Sequence, residues 1–175
     1  MSDLTPQELA RLAVEAFIRD GYRLKPPDEV EGMLAERAGV FVTLRMRGGA
    51  LRGCIGTIQP ANENVAAEII ENAISAATRD PRFTRVTPDE LSDLTYGVDV
   101  LSPTETVSGV EDLDPARYGV IIETPDGRRR GLLLPRIAGI DSAQEQWQAV
   151  HMKAGIRLNQ PVRVARFTVT RFGKD

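Results

Sequence analysis

Cys54 is the only cysteine and His151 the only histidine in a chain of 175 residues. Cys54 sits in the segment Leu51-Arg52-Gly53-Cys54-Ile55-Gly56-Thr57. In an extended strand Arg52 and Cys54, two positions apart, project from the same face. A guanidinium beside a thiol stabilises the thiolate, which is how a cysteine becomes reactive. Gly53 and Gly56 remove side-chain bulk and would let a ligand reach the strand backbone, with Thr57 beside it. The plain alternative is a small buried hydrophobe at position 54, with glycines that relieve twist or crowding. Residue types alone leave both open.

His151 follows a helical run and precedes Lys153 by two positions. If its ring met Cys54, the two would form a nucleophile–base pair suited to acyl transfer. The bland reading is an ordinary helix histidine, partly exposed or in the core. One cysteine and one histidine supply only two metal ligands, so neither a metal site nor a cofactor is expected. Arg79-Asp80-Pro81-Arg82-Phe83 brackets a helix end with two guanidiniums, an arrangement that suits a carboxylate or phosphate. Arg79 against the negative end of the helix dipole, with Asp80-Pro81 as a stop, explains the same residues without a ligand. Arg128-Arg129-Arg130 reads as a solvated hairpin tip before it reads as an RNA contact. No phosphate loop, dinucleotide fingerprint or nucleophile-elbow serine is present, and the common nucleotide-dependent enzymes lose support.

The bulk properties narrow the class. A net charge of −3 and a pI near 5.3 provide no basic field for a phosphate backbone, so a nucleic-acid role is disfavoured. With 42% hydrophobic and 27% charged residues and no long charge block, the chain has the makings of one globular domain over 1–175. The lone thiol fits a reducing compartment. Met1 to Pro6 lack a signal peptide's basic stretch and apolar run, and no apolar stretch approaches ~20 residues. A cytoplasmic protein with no membrane span is expected.

The elements that must position these residues are legible in outline. Thr5-Pro6-Gln7-Glu8 carries an N-cap, a first-turn proline and a capping-box acid, and Gly21 ends the helix. Residues 22–38 read as a connector with one short helical piece. Val40 to Met46 and Leu51 to Ile58 read as a hairpin about Gly48-Gly49. The glycines at 53 and 56 suggest a bulge or a close approach of another group. Asn62 to Thr78 is the clearest long helix, closed by Asp80-Pro81. A short helix follows from Thr87 to Leu94, then a strand from Tyr96 to Ser102. Tyr118 to Glu123 and Gly131 to Leu134 form a second hairpin about Pro125-Asp126-Gly127. Ser142 to Ala154 is helical, and Val162 to Phe172 alternates as one closing strand. Hairpins interleaved with helices predict an α+β fold with a largely antiparallel sheet flanked by helices.

Leu51 to Thr57 resembles the signature of the AMMECR domain family, whose bacterial and archaeal members are called AmmeMemoRadiSam system protein A. Ala76 to Phe83, Thr87 to Leu91 and Val98 to Ser102 match the family's middle blocks. Gly131 to Pro135, Trp147 and Lys153 to Ile156 match its later ones. The resemblance spans the first helix to the last strand. It implies two unequal lobes, with the heptad strand close to a cleft, and company with a Memo-like protein and a radical SAM protein. It implies no reaction. Prokaryotic relatives often carry a cysteine where this chain has His151, and Gly139-Ile140-Asp141-Ser142 stands where they have Gly-Trp.

Three functional readings follow. The first is a binding or accessory domain for an unidentified small molecule or partner, with a cleft lined by Arg52, Cys54, Thr57, Arg79 and Arg82 and reached across Gly53 and Gly56. The second is an enzyme with Cys54 as nucleophile, activated by His151 or Arg52. The third is an RNA-binding module using Arg128 to Arg130 and the arginine face of the last strand.

Overall fold

A computed structural model describes residues 4–173. Helix α1, Pro6–Asp20, begins where expected: Thr5 Oγ1 accepts from the Glu8 amide, and the Glu8 carboxylate accepts from the Thr5 amide at 3.0 Å. It ends on Gly21 in the left-handed region. Residues 22–39 contain only a short 3-10 turn, Gly32–Ala35. Strands β1, Val40–Met46, and β2, Leu51–Thr57, form a hairpin. Its turn uses Gly48 and Gly49 at φ 102° and 98°, values that side-chain-bearing residues resist. Helix α2, Val65–Thr78, starts three residues later than the hydrophobic pattern suggests, because the Asn64 side chain caps it by accepting from the Ala67 amide.

A 3-10 turn, Pro88–Asp93, leads into β3, Leu94–Leu101. With β8, Val169–Phe172, these strands make a four-stranded sheet in the order β2-β1-β3-β8. Strand β1 is antiparallel to both β2 and β3. Val40, Val42 and Leu44 alternate onto its buried face with Val98 and Val100 from β3. Leu9, Ala13 and Val14 of α1 and Ile69, Ala73 and Ile74 of α2 complete this core. At roughly 1.5–3 kcal/mol per buried large aliphatic side chain, it is the main source of stability in this part of the chain.

The chain divides into two compact units, Met1–Leu101 with Thr170–Asp175, and Ser102–Val169. The second unit has its own sheet in the order β4-β7-β5-β6. Its strands are β4, Glu105–Val107, β5, Gly119–Glu123, β6, Arg130–Leu133, and β7, Arg163–Phe167. All three pairings are antiparallel. Helix α3, Ala143–Ala154, is capped by Ser142 and ended by left-handed Gly155. It contributes Val150 to a core with Val120, Ile122, Leu133 and Val164. The α+β architecture thus holds, with its antiparallel strands shared between two sheets.

The largest difference from expectation is in the last strand. The alternating run from Val162 to Phe172 is two strands in two sheets, broken at Thr168. Ser102 explains the break, since its amide donates to the Thr168 carbonyl and its hydroxyl accepts from the Thr168 amide, both at 2.9 Å. Both backbone groups of Thr168 are therefore withdrawn from either ladder. Among the described residues no helix is long and apolar enough to cross a membrane.

Candidate functional site around Cys54

Strand β2 lies at an edge of its sheet, and its register sorts the heptad onto two faces. Gly53, Ile55 and Thr57 stand opposite Leu44, Val42 and Val40, on the side packed against the helices. Cys54 and Gly56 stand opposite Thr43 and Phe41, on the other side. Both glycines are explained by close approach from within the chain. A Cβ on Gly53 would collide with the Ala76 carbonyl of α2, and one on Gly56 with the Phe41 ring. The expected bulge is also present, because Leu44 faces Gly53 while Arg45 faces Leu51, leaving Arg52 without a partner in the ladder.

Thr57 is tied into the interior. Its hydroxyl donates to Glu68 Oε1 at 2.6 Å and accepts from Asn72 Nδ2 at 3.2 Å. Glu68 is fully buried, and its other oxygen accepts from the Ala61 and Asn62 amides at 3.0 and 2.8 Å and from Asn62 Nδ2 at 3.1 Å. Four donors around one carboxylate compensate its removal from water and clamp the loop that follows β2 onto α2.

Cys54 is partly exposed, with its Sγ 3.3 Å from the Thr43 hydroxyl. Its backbone is held from the free edge of the sheet. The Cys54 amide donates to Asp80 Oδ2 at 2.9 Å, and Arg82 Nη2 donates to the Cys54 carbonyl at 3.4 Å. Arg82 in turn grips Asp80 through Nε at 3.0 Å and Nη2 at 2.7 Å. A carboxylate and a guanidinium thus take the acceptor and donor places that a neighbouring strand would fill. Asp80 is buried, and the Arg82 guanidinium holds its carboxyl well below the usual carboxylate range against the opposing effect of burial.

Arg52 faces a different carboxylate. Its Nε and Nη2 donate to Glu90 at 2.8 and 3.0 Å, and its Nη1 donates to the Thr84 carbonyl at 2.8 Å. Glu90 is also the capping-box acid of its 3-10 turn, accepting from the Thr87 amide at 2.8 Å. Arg52, then burial working against it, then Thr87 set its pKa, which falls from 4.5 to about 2. The Phe83 ring lies under both guanidiniums, 6.0 Å from Arg52 and 5.5 Å from Arg82. The guanidinium hydrogen-bonded to Cys54 is therefore that of Arg82. Arg79 caps α2 and is exposed, with no ion pair among the described residues.

Two further charged residues share the face of Cys54. Thr43 stands opposite Gly97 of β3, and Phe41 opposite Asp99. Asp99 is buried and accepts from Arg171 Nε of β8 at 2.7 Å. Asp99 had one visible signal, an acid between Val98 and Val100 in an apolar strand. The partnerships of Asp80, Glu68 and Glu90 join residues 26, 11 and 38 positions apart and leave no local pattern.

His151 belongs to the second unit, on the last turn of α3. It is 1% exposed, its ring lies 4.4 Å from that of Trp147, and its Nδ1 is 2.7 Å from the Trp147 carbonyl. The partners of Cys54 and of His151 each lie within their own unit. The basic turn is internally engaged: Arg129 donates to the Gly155 carbonyl, Arg130 lies 3.9 Å from Glu123, and Arg128 is 4.0 Å from Asp126. Among the described residues no three His, Cys, Asp or Glu side chains converge as a metal site would require.

The AMMECR1 family profile matches residues 7–172. A protein of Thermotoga maritima is 49% identical over 161 residues, which cover 91% of each chain. A protein of Clostridium acetobutylicum is 43% identical over 166 residues; these are 94% of this chain but 35% of that protein's length. A crystal structure of protein PH0010 from Pyrococcus horikoshii superimposes with a TM-score of 0.88 at 32% identity, over 97% of this chain and 90% of that one.

Proposed function

The chain belongs to the AMMECR1 family, and on that premise we propose that it is a cytoplasmic binding or accessory domain whose ligand face surrounds Cys54. The observation that carries this reading is the division of labour within the heptad. Arg52 and Thr57 hold the strand to the rest of its unit through Glu90 and Glu68, and Gly53 leaves room for the Ala76 carbonyl to approach. Cys54 is left partly exposed as a residue, on a strand whose backbone is clamped. Rigid presentation of one polar side chain is what a recognition site requires. Arg79, an exposed cation three residues before Arg82, adds a site of attraction for an anionic group.

The domain would act with a Memo-like and a radical SAM protein. The Clostridium relative favours an accessory role, since its matching region is about a third of a longer chain. A nucleophilic role for Cys54 has less support, because its thiol meets the Thr43 hydroxyl and Arg52 is bound to Glu90. An RNA role has less again: Arg23, Arg52, Arg82 and Arg166 each hold an acid, which leaves fewer cations for phosphates.

Thiol-labelling kinetics on the native chain test the reading. Cys54 should react with a small maleimide much faster than global unfolding would allow, and a charged anionic ligand should slow it. Labelling no faster than unfolding would sink it. Co-purification with the two partner proteins, compared with an Arg79→Glu, Cys54→Ser variant, tests the accessory role; no association with either partner would count against that part.

A further inference from the structure

Helix α3 carries two interior acceptors without a hydrogen-bond partner among the described residues. Gln146 and His151 are each 1% exposed. Gln146 Nε2 donates to the Tyr118 carbonyl at 2.8 Å, and His151 Nδ1 lies 2.7 Å from the Trp147 carbonyl. Their other ends, Gln146 Oε1 and His151 Nε2, have no hydrogen-bond partner among the described residues. A carbonyl oxygen only accepts, so in the neutral ring the proton resides on Nδ1 and Nε2 presents a lone pair. The ring cannot swing freely to find another partner, because Trp147 packs against it at 4.4 Å. Buried polar atoms are almost always paired, so a buried acceptor without a partner from the chain points to a bound donor.

We propose that the second unit encloses a small-molecule site at His151 Nε2, and that its occupant is an uncharged hydrogen-bond donor presenting an O–H group. In the neutral ring Nε2 offers a lone pair, which a hydroxyl can meet and a carbonyl oxygen cannot, and Gln146 Oε1 on the same helix likewise only accepts. No cluster of further ligands surrounds the ring among the described residues, which argues against a metal ion. The O–H donor has two sources, solvent water or the hydroxyl of an organic ligand.

Long-range proton–nitrogen NMR correlation on the full chain, 15N-labelled at its single histidine, reads both ring nitrogens directly. The expected result is a proton on Nδ1 and a hydrogen-bonded Nε2. Cross-relaxation between water and the ring protons assigns the donor to solvent. A non-covalent adduct in native mass spectrometry, lost after unfolding and refolding in small-molecule-free buffer, assigns it to an organic hydroxyl. A proton on Nε2 would overturn the inference, as would a bare Nε2 with neither water cross-peak nor adduct. These readings leave the maleimide kinetics of Cys54 untouched, so this site and the Cys54 face stand or fall separately.

Discussion

Cys54 and His151, each the only residue of its kind, occupy opposite environments. Cys54 is partly exposed while its backbone is gripped by Asp80 and Arg82. His151 is buried to the ring, with one nitrogen committed to its own helix and the other without a partner among the described residues. The first is presented outward by polar contacts from distant residues, the second inward by packing. Rarity drew attention to both, yet it said nothing about the direction in which each offers its chemistry. That direction depends on which side of a strand or helix meets the core.

The contrast can be broken most severely at Gly53. Gly53→Val would drive a side chain into the Ala76 carbonyl, and a loss of about 4 kcal/mol or outright misfolding is expected. Urea denaturation measures it, and a shift below ~1 kcal/mol would mean that the α2 approach is not rigid. His151→Ala should cost about 3 kcal/mol through lost packing while leaving Cys54 labelling unchanged once global unfolding is allowed for. A labelling rate that moves with His151 would couple the two sites and support a Cys–His pair.

Asp80→Ala should cost about 2 kcal/mol, since it strips the Cys54 amide and Arg82 of a shared acceptor. It should also speed Cys54 labelling several-fold, and an unchanged rate would show that the clasp does not govern the thiol. The smallest effect is in acid. Glu90 has a pKa lowered from 4.5 to about 2 by Arg52. Its stabilisation is therefore fully present above about pH 4.5 and is lost as the pH falls towards 2. The Glu90 side chain is 28% exposed, so a contribution of roughly 1–2 kcal/mol is expected after solvent screening. Parallel acid titrations of the chain and of Glu90→Gln should converge at low pH; curves that stay parallel would remove the Arg52–Glu90 pair as the cause.

Local chemistry was legible wherever its cause was local. Thr5-Pro6-Gln7-Glu8 and Gly21 bound α1 because capping needs only neighbours three or four residues away. The Gly48-Gly49 turn, the Ser142 cap and the Gly155 stop follow for the same reason. The glycines of the heptad suggested a bulge or a close approach, and close approach is what both positions show. They could not say that the visitors were α2 and Phe41. The run from Val162 to Phe172 alternates without interruption, and only Ser102, bonded to Thr168, divides it between two sheets.

By itself, then, the sequence determined the α+β class, the ends of α1, the cap and stop of α3, the hairpin turns and the family, because these rest on periodicity, capping and short motifs. Tertiary structure alone decided that Arg82 rather than Arg52 holds Cys54, that Thr57 serves Glu68, and that Asp99 meets Arg171. Those contacts join residues from 11 to 72 positions apart. Which carboxylate an arginine finds is settled by strand register and helix packing, which no local pattern encodes.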